Sequence, residues 1–387
     1  MYAALFLITF IFFVFLSAFV FMNYPAAWRK NRLSAAILVL WHAVGILSLF
    51  LVLTIYKDIP QENIRYEITR IATFYYIPTM LMAIFFFVRI LYSRTCQYIY
   101  RKNGIKAAEQ RRKWFSDKQV QTVFMIVLSF GICIYGYFNV DYLHLRQYDV
   151  TVSAPSGEEE LKICLIADIH AGSGTWEYTY DDLAEQIDAC EADVLFIAGD
   201  LFDETTSRRD VDYCVRALRS IRQPRYGMYY IYGNHDGLME DWVPGAKEAI
   251  LGLGVHILSD EMVLLGEDIQ LIGCLDPKLG AKSLANLFQS LKPDPDKPII
   301  LMTHRPKHFA EMAELGVDLA LSGHTHGFNI PQAFAISLSN DMYSGLRQYG
   351  NMTAITTSGV GTWGFHYKMP AESEVVSIRV RFGGNGK

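Results

Sequence analysis

The chain has 387 residues, enough for two domains that each bury a core, and its hydrophobic residues, 51% of the total, crowd into the first 140 positions. A net charge of −5 argues against nucleic acid as a partner of the whole chain. Six scattered cysteines with no C-x-x-C pair exclude a disulfide framework and a zinc knuckle.

Apolar runs over residues 3–22, 35–56, 71–91 and 120–138 each match the ~20 residues that cross a bilayer as helix. The sequence therefore predicts an all-α bundle of four transmembrane helices within residues 1–140. No positive residue precedes the first run and no small-residue cleavage site follows it, which reads as an anchor rather than a signal peptide. Arg29, Lys30 and Arg32 follow the first run, and Arg94, Arg101, Lys102, Lys106, Arg111, Arg112, Lys113 and Lys118 follow the third. Between the second and third, Lys57, Arg65 and Arg70 are balanced by Asp58, Glu62 and Glu67. Positive loops stay cytoplasmic, and an even number of spans then puts both termini on the other side. The expectation is a multi-pass protein of the cell membrane whose chain after about residue 140 is extracytoplasmic. The basic loop reads as an orientation signal rather than a headgroup site. His42, inside the second run, reads as a packing residue, and Arg89 as one that snorkels to the interface.

From Tyr148 the pattern changes to short apolar runs broken by turns. "YDVTVSAPSGEEELKICLIAD" reads as strand, turn, strand. "DDLAEQIDACEA" puts Leu183 and Ile187 on one helical face, "DVLFIAG" is a strand, "RRDVDYCVRALRSI" a helix and "YGMYYIYG" a strand. Such alternation predicts a mostly parallel sheet under helices. After Val255 come "VHILSD", "EMVLLG", "DIQLIGC", "PIILMT", "VDLALSG", "TAITTSG" and "VVSIRVRF", which predict a second, more antiparallel sheet. Cys164 and Cys274 lie in strand-like runs and pack as small hydrophobes; Cys190 and Cys214 lie on helices, with their pairing left open.

Polar residues cluster where these strands end: Asp168 and His170, Asp200 and Asp203, Asn234, His235 and Asp236, His304, and His324 with His326. That edge of an open α/β sheet is where ligands bind. Alternate residues of an extended segment point the same way, so Asp168 and His170 can face one ion, and carboxylate, imidazole and amide oxygen together suit divalent first-row metals. Any one of these motifs is weak. Five of the ten histidines at strand ends beside Asp or Asn are not a way to build a core.

The order D-x-H, G-D-x-x-D, G-N-H-D, lone H, G-H-x-H resembles the calcineurin-like metallophosphoesterase superfamily over residues 146–382, and "THRP", "SGHTHG" and "SGVGTWG" resemble its membrane-anchored bacterial branch. The resemblance implies an α/β fold, a two-sheet β-sandwich flanked by helices, for residues 146–387 as the metallophosphoesterase domain; the transmembrane region, residues 1–140, lies outside it and rests on the apolar runs. The resemblance also implies two divalent ions (Mn, Fe or Zn), the first held by Asp168, His170, Asp200 and His326, the second by Asp200, Asn234, His304 and His324. His235 would stand beside the leaving group, with Asp203 or Asp236 steering its ring. Four positions depart from the pattern: Glu204 replaces the Arg of the Ser/Thr phosphatases, Phe328 and Asn329 replace Gly and Gln, and Lys307 replaces an acidic residue. They touch the mouth of the site and bear on substrate choice.

The expected activity is hydrolysis of a phosphoester, with a phosphodiester or pyrophosphate of a lipid-linked or cell-envelope substrate favoured because "VDYLHLRQ" joins the domain to the last span through a short segment. The alternatives are a soluble-nucleotide phosphodiesterase and a non-catalytic metal-binding membrane sensor or scaffold. His308 is expected in solvent, while His366 and Asp276 are candidates for the pocket mouth.

Overall fold

A computed structural model describes residues 2–54, 59, 62–102, 118–172, 177–327, 329 and 340–383. Its contacts divide the chain into two units, Met1–Tyr137 and Phe138–Lys387.

The first unit is helical: α1 (Tyr2–Asn23), α2 (Ala26–Lys30), α3 (Arg32–Thr54), α4 (Glu62–Lys102) and most of α5 (Lys118–Asn139). Among the described residues three stretches are long and apolar enough to cross a membrane, Arg32–Val52, Ile64–Ile99 and Lys118–Asn139. Within α1 (Tyr2–Asn23) the described apolar stretch is Phe10–Asn23, so three of the four expected spans are shown among the described residues. Several charges expected in loops belong to α4 itself: Glu62, Arg65, Glu67 and Arg70 near its start, Arg94, Arg101 and Lys102 near its end. Lys57, Asp58, Lys106, Arg111, Arg112 and Lys113 lie outside the described residues. His42 is buried, with Nδ1 2.8 Å from the Tyr75 hydroxyl, which lies 2.6 Å from Ser17 Oγ, so three helices share one polar contact. Arg89 lies over the Phe86 ring, 4.7 Å from its centroid, and donates to the Asn23 carbonyl.

The second unit holds two six-stranded sheets. The first has the order β1 (Leu143–Val152), β12 (Ser373–Phe382), β2 (Glu160–Ile166), β3 (Val194–Ile197), β4 (Met228–Ile231), β5 (Val255–Leu258). The second runs β10 (Gly345–Tyr349), β11 (Met352–Thr356), β9 (Leu319–Ser322), β8 (Ile299–Met302), β7 (Ile269–Gly273), β6 (Glu261–Leu265). Both are mixed. In the second sheet only the outer pairs β10–β11 and β6–β7 are antiparallel, so its centre is more parallel than expected. β1 and β2 are not neighbours: β12 lies between them, parallel to β1 and antiparallel to β2. "VDYLHLRQ" is mostly not a linker, because β1 already begins at Leu143.

The strands read as unbroken apolar runs because both faces are covered. Successive side chains alternate between layers: Ile163, Leu165, Val194, Phe196, Ile300, Met302, Leu319 and Leu321 fill the space between the sheets. Cys164, Ile166, Leu195 and Ile197 instead face α6 (Glu177–Ala189) and α7 (Arg208–Ser220) through residues such as Leu183, Ile187, Val211 and Leu218. Ile299, Leu301 and Ala320 pack under the helices that carry Leu287, Phe309 and Met312. α7 starts sharply because Ser207 and Asp210 form a capping box. Six cysteines are free, so Cys190 and Cys214 do not pair.

Candidate metal centre

Five strands of the two sheets, β2, β3, β4, β8 and β9, end within two or three residues of the polar motifs. The chain leaves each strand by a sharp turn, and five of the side chains concerned stand on left-handed backbone: Asp168 (φ 53°), His170 (46°), Asp200 (54°), His324 (74°) and His326 (49°). For an L-residue that region costs about 1–2 kcal/mol, and such cost concentrated at one place marks a site rather than a core. Glycine makes the close approach possible. At Gly199 (φ 94°) an added Cβ would stand 2.5 Å from His304 Nδ1, and at Gly233 it would strike the Asp200 carboxylate.

The turns bring two groups of donors together, Asp168 with His170 and His326, and Asp200 with His304 and His324; within each group the ligand atoms lie within 4.8 Å of one another. Asp200 connects them, its Oδ2 being 3.1 Å from His304 Nε2 and 3.6 Å from His170 Nε2. Its Oδ1 accepts from the His235 backbone N–H at 2.9 Å, which ties the G-N-H-D turn to the centre. Asp168 Oδ2 accepts from the His324 N–H at 2.8 Å, leaving Oδ1 facing His170 and His326 at 4.0 and 3.9 Å from their Nε2 atoms.

Hydrogen bonds outside the cluster fix the imidazoles. Asp203 Oδ2 is 3.0 Å from His170 Nδ1, and the Ala198 carbonyl is 2.8 Å from His304 Nδ1. Both acceptors require Nδ1 to carry hydrogen, which turns Nε2 toward the cluster, the arrangement that orients metal-binding histidines. Asp203 is itself held by Thr205, whose N–H and hydroxyl reach Oδ1 at 2.7 and 2.6 Å. Asp236 is taken up by the backbone, accepting from the N–H groups of Asp200, Leu201, Phe202 and Gly233.

The electrostatics describe a buried anionic cluster. Burial pushes the Asp168 carboxyl up, while His304 and His170 pull against it. Burial opposes ionisation of Asp200 as well, yet His304, His235 and His170 around it hold its carboxyl well below the usual range. Burial would lower His304, but Asp200 and Asp168 raise it to about 10, and His170 rises to about 9 beside Asp203, Asp200 and Asp168. His324 falls to about 2 through burial and the neighbouring His304.

These residues fit divalent cations on grounds of their own. Asp168 Oδ1, Asn234 Oδ1 and His326 Nδ1 are buried and make no hydrogen bond among the described residues. A lone pair left over at a buried carboxylate, amide or imidazole calls for an ion or an ordered water, and a carboxylate beside two imidazoles suits a divalent cation.

Other expectations are corrected. His235 Nδ1 meets neither Asp203 nor Asp236 but Glu204 Oε2, at 3.1 Å. Asp203 is unavailable because it serves His170, and Asp236 because four N–H groups occupy it. His366 does not line the mouth; it is buried with Nε2 2.9 Å from Asp141 Oδ1. Asp276 is buried as well, in a two-pronged pair with Arg305 at 2.7 and 3.2 Å. His308 is exposed, as expected, and Asn329 is buried, its side chain bridging the Tyr367 carbonyl and the Met369 N–H. Phe328 lies outside the described residues. Sequence reading named Glu204 as a departure at the mouth of the site and quoted Trp363 within SGVGTWG, but gave neither residue its contact with His235 or with the other.

The family model described as calcineurin-like phosphoesterase matches residues 161–328, which hold all seven expected metal ligands. An uncharacterized metallophosphoesterase of Helicobacter pylori is 33% identical over 239 residues, covering 58% of this chain and 60% of that protein. One of Campylobacter jejuni is 30% identical over 269 residues, covering 66% of this chain and 68% of that protein. A transmembrane protein with metallophosphoesterase domain from Danio rerio is 28% identical over 283 residues, covering 67% and 62%. The chain thus spans about three fifths to two thirds of the length of these relatives. The G-D, G-N-H-D and G-H-x-H turns, the paired donor groups and these matches together make the chain a member of the calcineurin-like phosphoesterase family.

Proposed function

We propose that the protein is a membrane-anchored, metal-dependent hydrolase of phosphoesters, with residues 1–140 as the transmembrane region and 146–387 as the catalytic domain. The observation that carries this reading is the pair of donor groups sharing Asp200 at the ends of five strands. Asp168, His170, Asp200 and His326 would hold one ion, and Asp200, Asn234, His304 and His324 the other, with Mn, Fe or Zn suited to the mixed nitrogen and oxygen donors. When bound, such ions supply an acidified water and neutralise charge on the phosphoryl oxygens. Asp203 keeps the His170 ring turned to its task. His235, half-buried at the rim, gives the proton from Nε2 to the departing oxygen as the P–O bond breaks, and recovers a proton from solvent. The water oxygen forms the new bond to phosphorus, and its spare proton leaves to solvent.

The substrate favoured is a phosphodiester or pyrophosphate of a lipid-linked or envelope molecule. Support comes from the three helices apolar enough to cross a membrane and from relatives named as transmembrane proteins with metallophosphoesterase domain. We count α1 as a fourth span, which puts the catalytic domain outside the cytoplasm by the positions of Lys and Arg.

The test is the purified full chain on monoester, diester and pyrophosphate panels, bis-p-nitrophenyl phosphate included, with Mn, Fe, Zn and Mg in turn. Metal-dependent hydrolysis is expected, and His235→Ala should retain metal yet lose about 10² to 10⁴ in rate. Metal binding without hydrolysis across every panel would instead make the protein a sensor or scaffold; preference for soluble nucleotides would displace the lipid substrate.

A further inference from the structure

Glu204 occupies an unusual place at the rim. Its carboxylate is engaged by two ring N–H groups, Oε2 by His235 Nδ1 at 3.1 Å and Oε1 by Trp363 Nε1 at 3.2 Å. A carboxylate of this kind accepts and does not donate, and indole only donates, so the Nδ1 of His235 carries hydrogen and Nε2 is the nitrogen on the opposite edge of the ring. Trp363 also packs on that ring, the centroids 5.3 Å apart at 47°, and Trp242 lies 6.5 Å away. On another side stands His170, 5.2 Å away and nearly perpendicular. His235 and Glu204 side chains are 17% and 28% exposed, so the pair is partly shielded from water.

We propose that Glu204, held by Trp363, is the positioning residue for the leaving-group step. This rests on the hydrolase reading above and goes beyond it by naming what sets the reactivity of His235. The hydrogen bond keeps the Nδ1 proton in place before and after transfer. As the P–O bond breaks, the electron pair stays on the leaving oxygen, the Nε2 proton of the doubly protonated ring joins it, and the ring becomes a neutral imidazole still donating from Nδ1 to Glu204. Without Glu204 the ring can rotate and turn its Nε2–H away from the leaving oxygen.

The experiment uses the full chain and two independent readouts. The first is hydrolysis of aryl phosphodiesters whose phenols grow steadily less acidic, with manganese. Glu204→Ala should lose about threefold on the most acidic phenol and about 10²-fold on the least, since a poor leaving oxygen depends most on proton donation. Glu204→Gln, which keeps an acceptor, should recover to within about tenfold of the unmodified chain, and Glu204→Ala should add nothing to His235→Ala. The second is ring-nitrogen NMR of the metal-free chain labelled at histidine, with the His235 signals assigned by their loss in His235→Ala. The Nδ1–H signal should be present in the unmodified chain and displaced in Glu204→Ala.

An equal loss across all phenols, or a loss that multiplies with that of His235→Ala, would overturn the proposal. If no ester is hydrolysed at all, the hydrolase reading falls, and the ring-nitrogen spectrum still decides Glu204: an unchanged Nδ1–H signal in Glu204→Ala overturns its placement, a displaced one supports it.

Discussion

Asp203 and Glu204 are adjacent in the chain and serve different histidines, Asp203 orienting His170 and Glu204 orienting His235. Neighbours that point apart are what an irregular turn permits, and no sequence periodicity tells which carboxylate meets which ring. The residues of the centre itself were legible, because histidine with aspartate or asparagine at strand ends beside glycine has no packing rationale. Their partners were not, since a hydrogen bond across 31 positions depends on the fold. The division of labour has a consequence: Asp203→Asn leaves His170 with a weaker acceptor and should lower affinity for one of two ions about 10- to 100-fold. Competition against a metallochromic chelator measures it, and two ions held as tightly as in the unmodified chain would count against the ligand assignment.

At the scale of elements, the centre depends on how β3 gives way to its turn. Ala198 offers its carbonyl to His304, Gly199 bends in the left-handed region, and Asp200 reaches both donor groups. Gly199→Ala adds backbone cost and a contact with the His304 ring, so it should lower stability by about 1–3 kcal/mol and loosen metal binding together. Denaturant titration with and without manganese separates the two effects. The central strands were readable as apolar runs because helices and the second sheet cover both faces. β10 was not: its sequence GLRQY has the burial of an exposed edge and no apolar face to reveal it. The insertion of β12 between β1 and β2 was equally hidden, as it pairs Val376 with Leu165 across more than half the domain. Local patterns carry no information about such pairing.

At the scale of the whole molecule, the apolar helices were plain from composition, and three stretches meet the length and apolarity of a span. The count of four rests on the apolar runs, and the proposed side of the second unit on Lys and Arg positions, several of which lie on α4 rather than in a loop. The expected outcome is that protease added to intact cells, with the outer surface made accessible, removes the C-terminal half. Cleavage only after the cells are opened would place that half in the cytoplasm and remove the reason for favouring an envelope substrate.

The central claim is that side chains from five strand ends enclose two cations around Asp200. Elemental analysis of the full chain, purified after growth with supplemented metals and without chelators, tests it most directly. About two transition-metal ions per chain are expected, falling to nearly none in a folded Asp200→Ala variant. A well-folded, unmodified chain that carries none, and takes up none on titration, would contradict it.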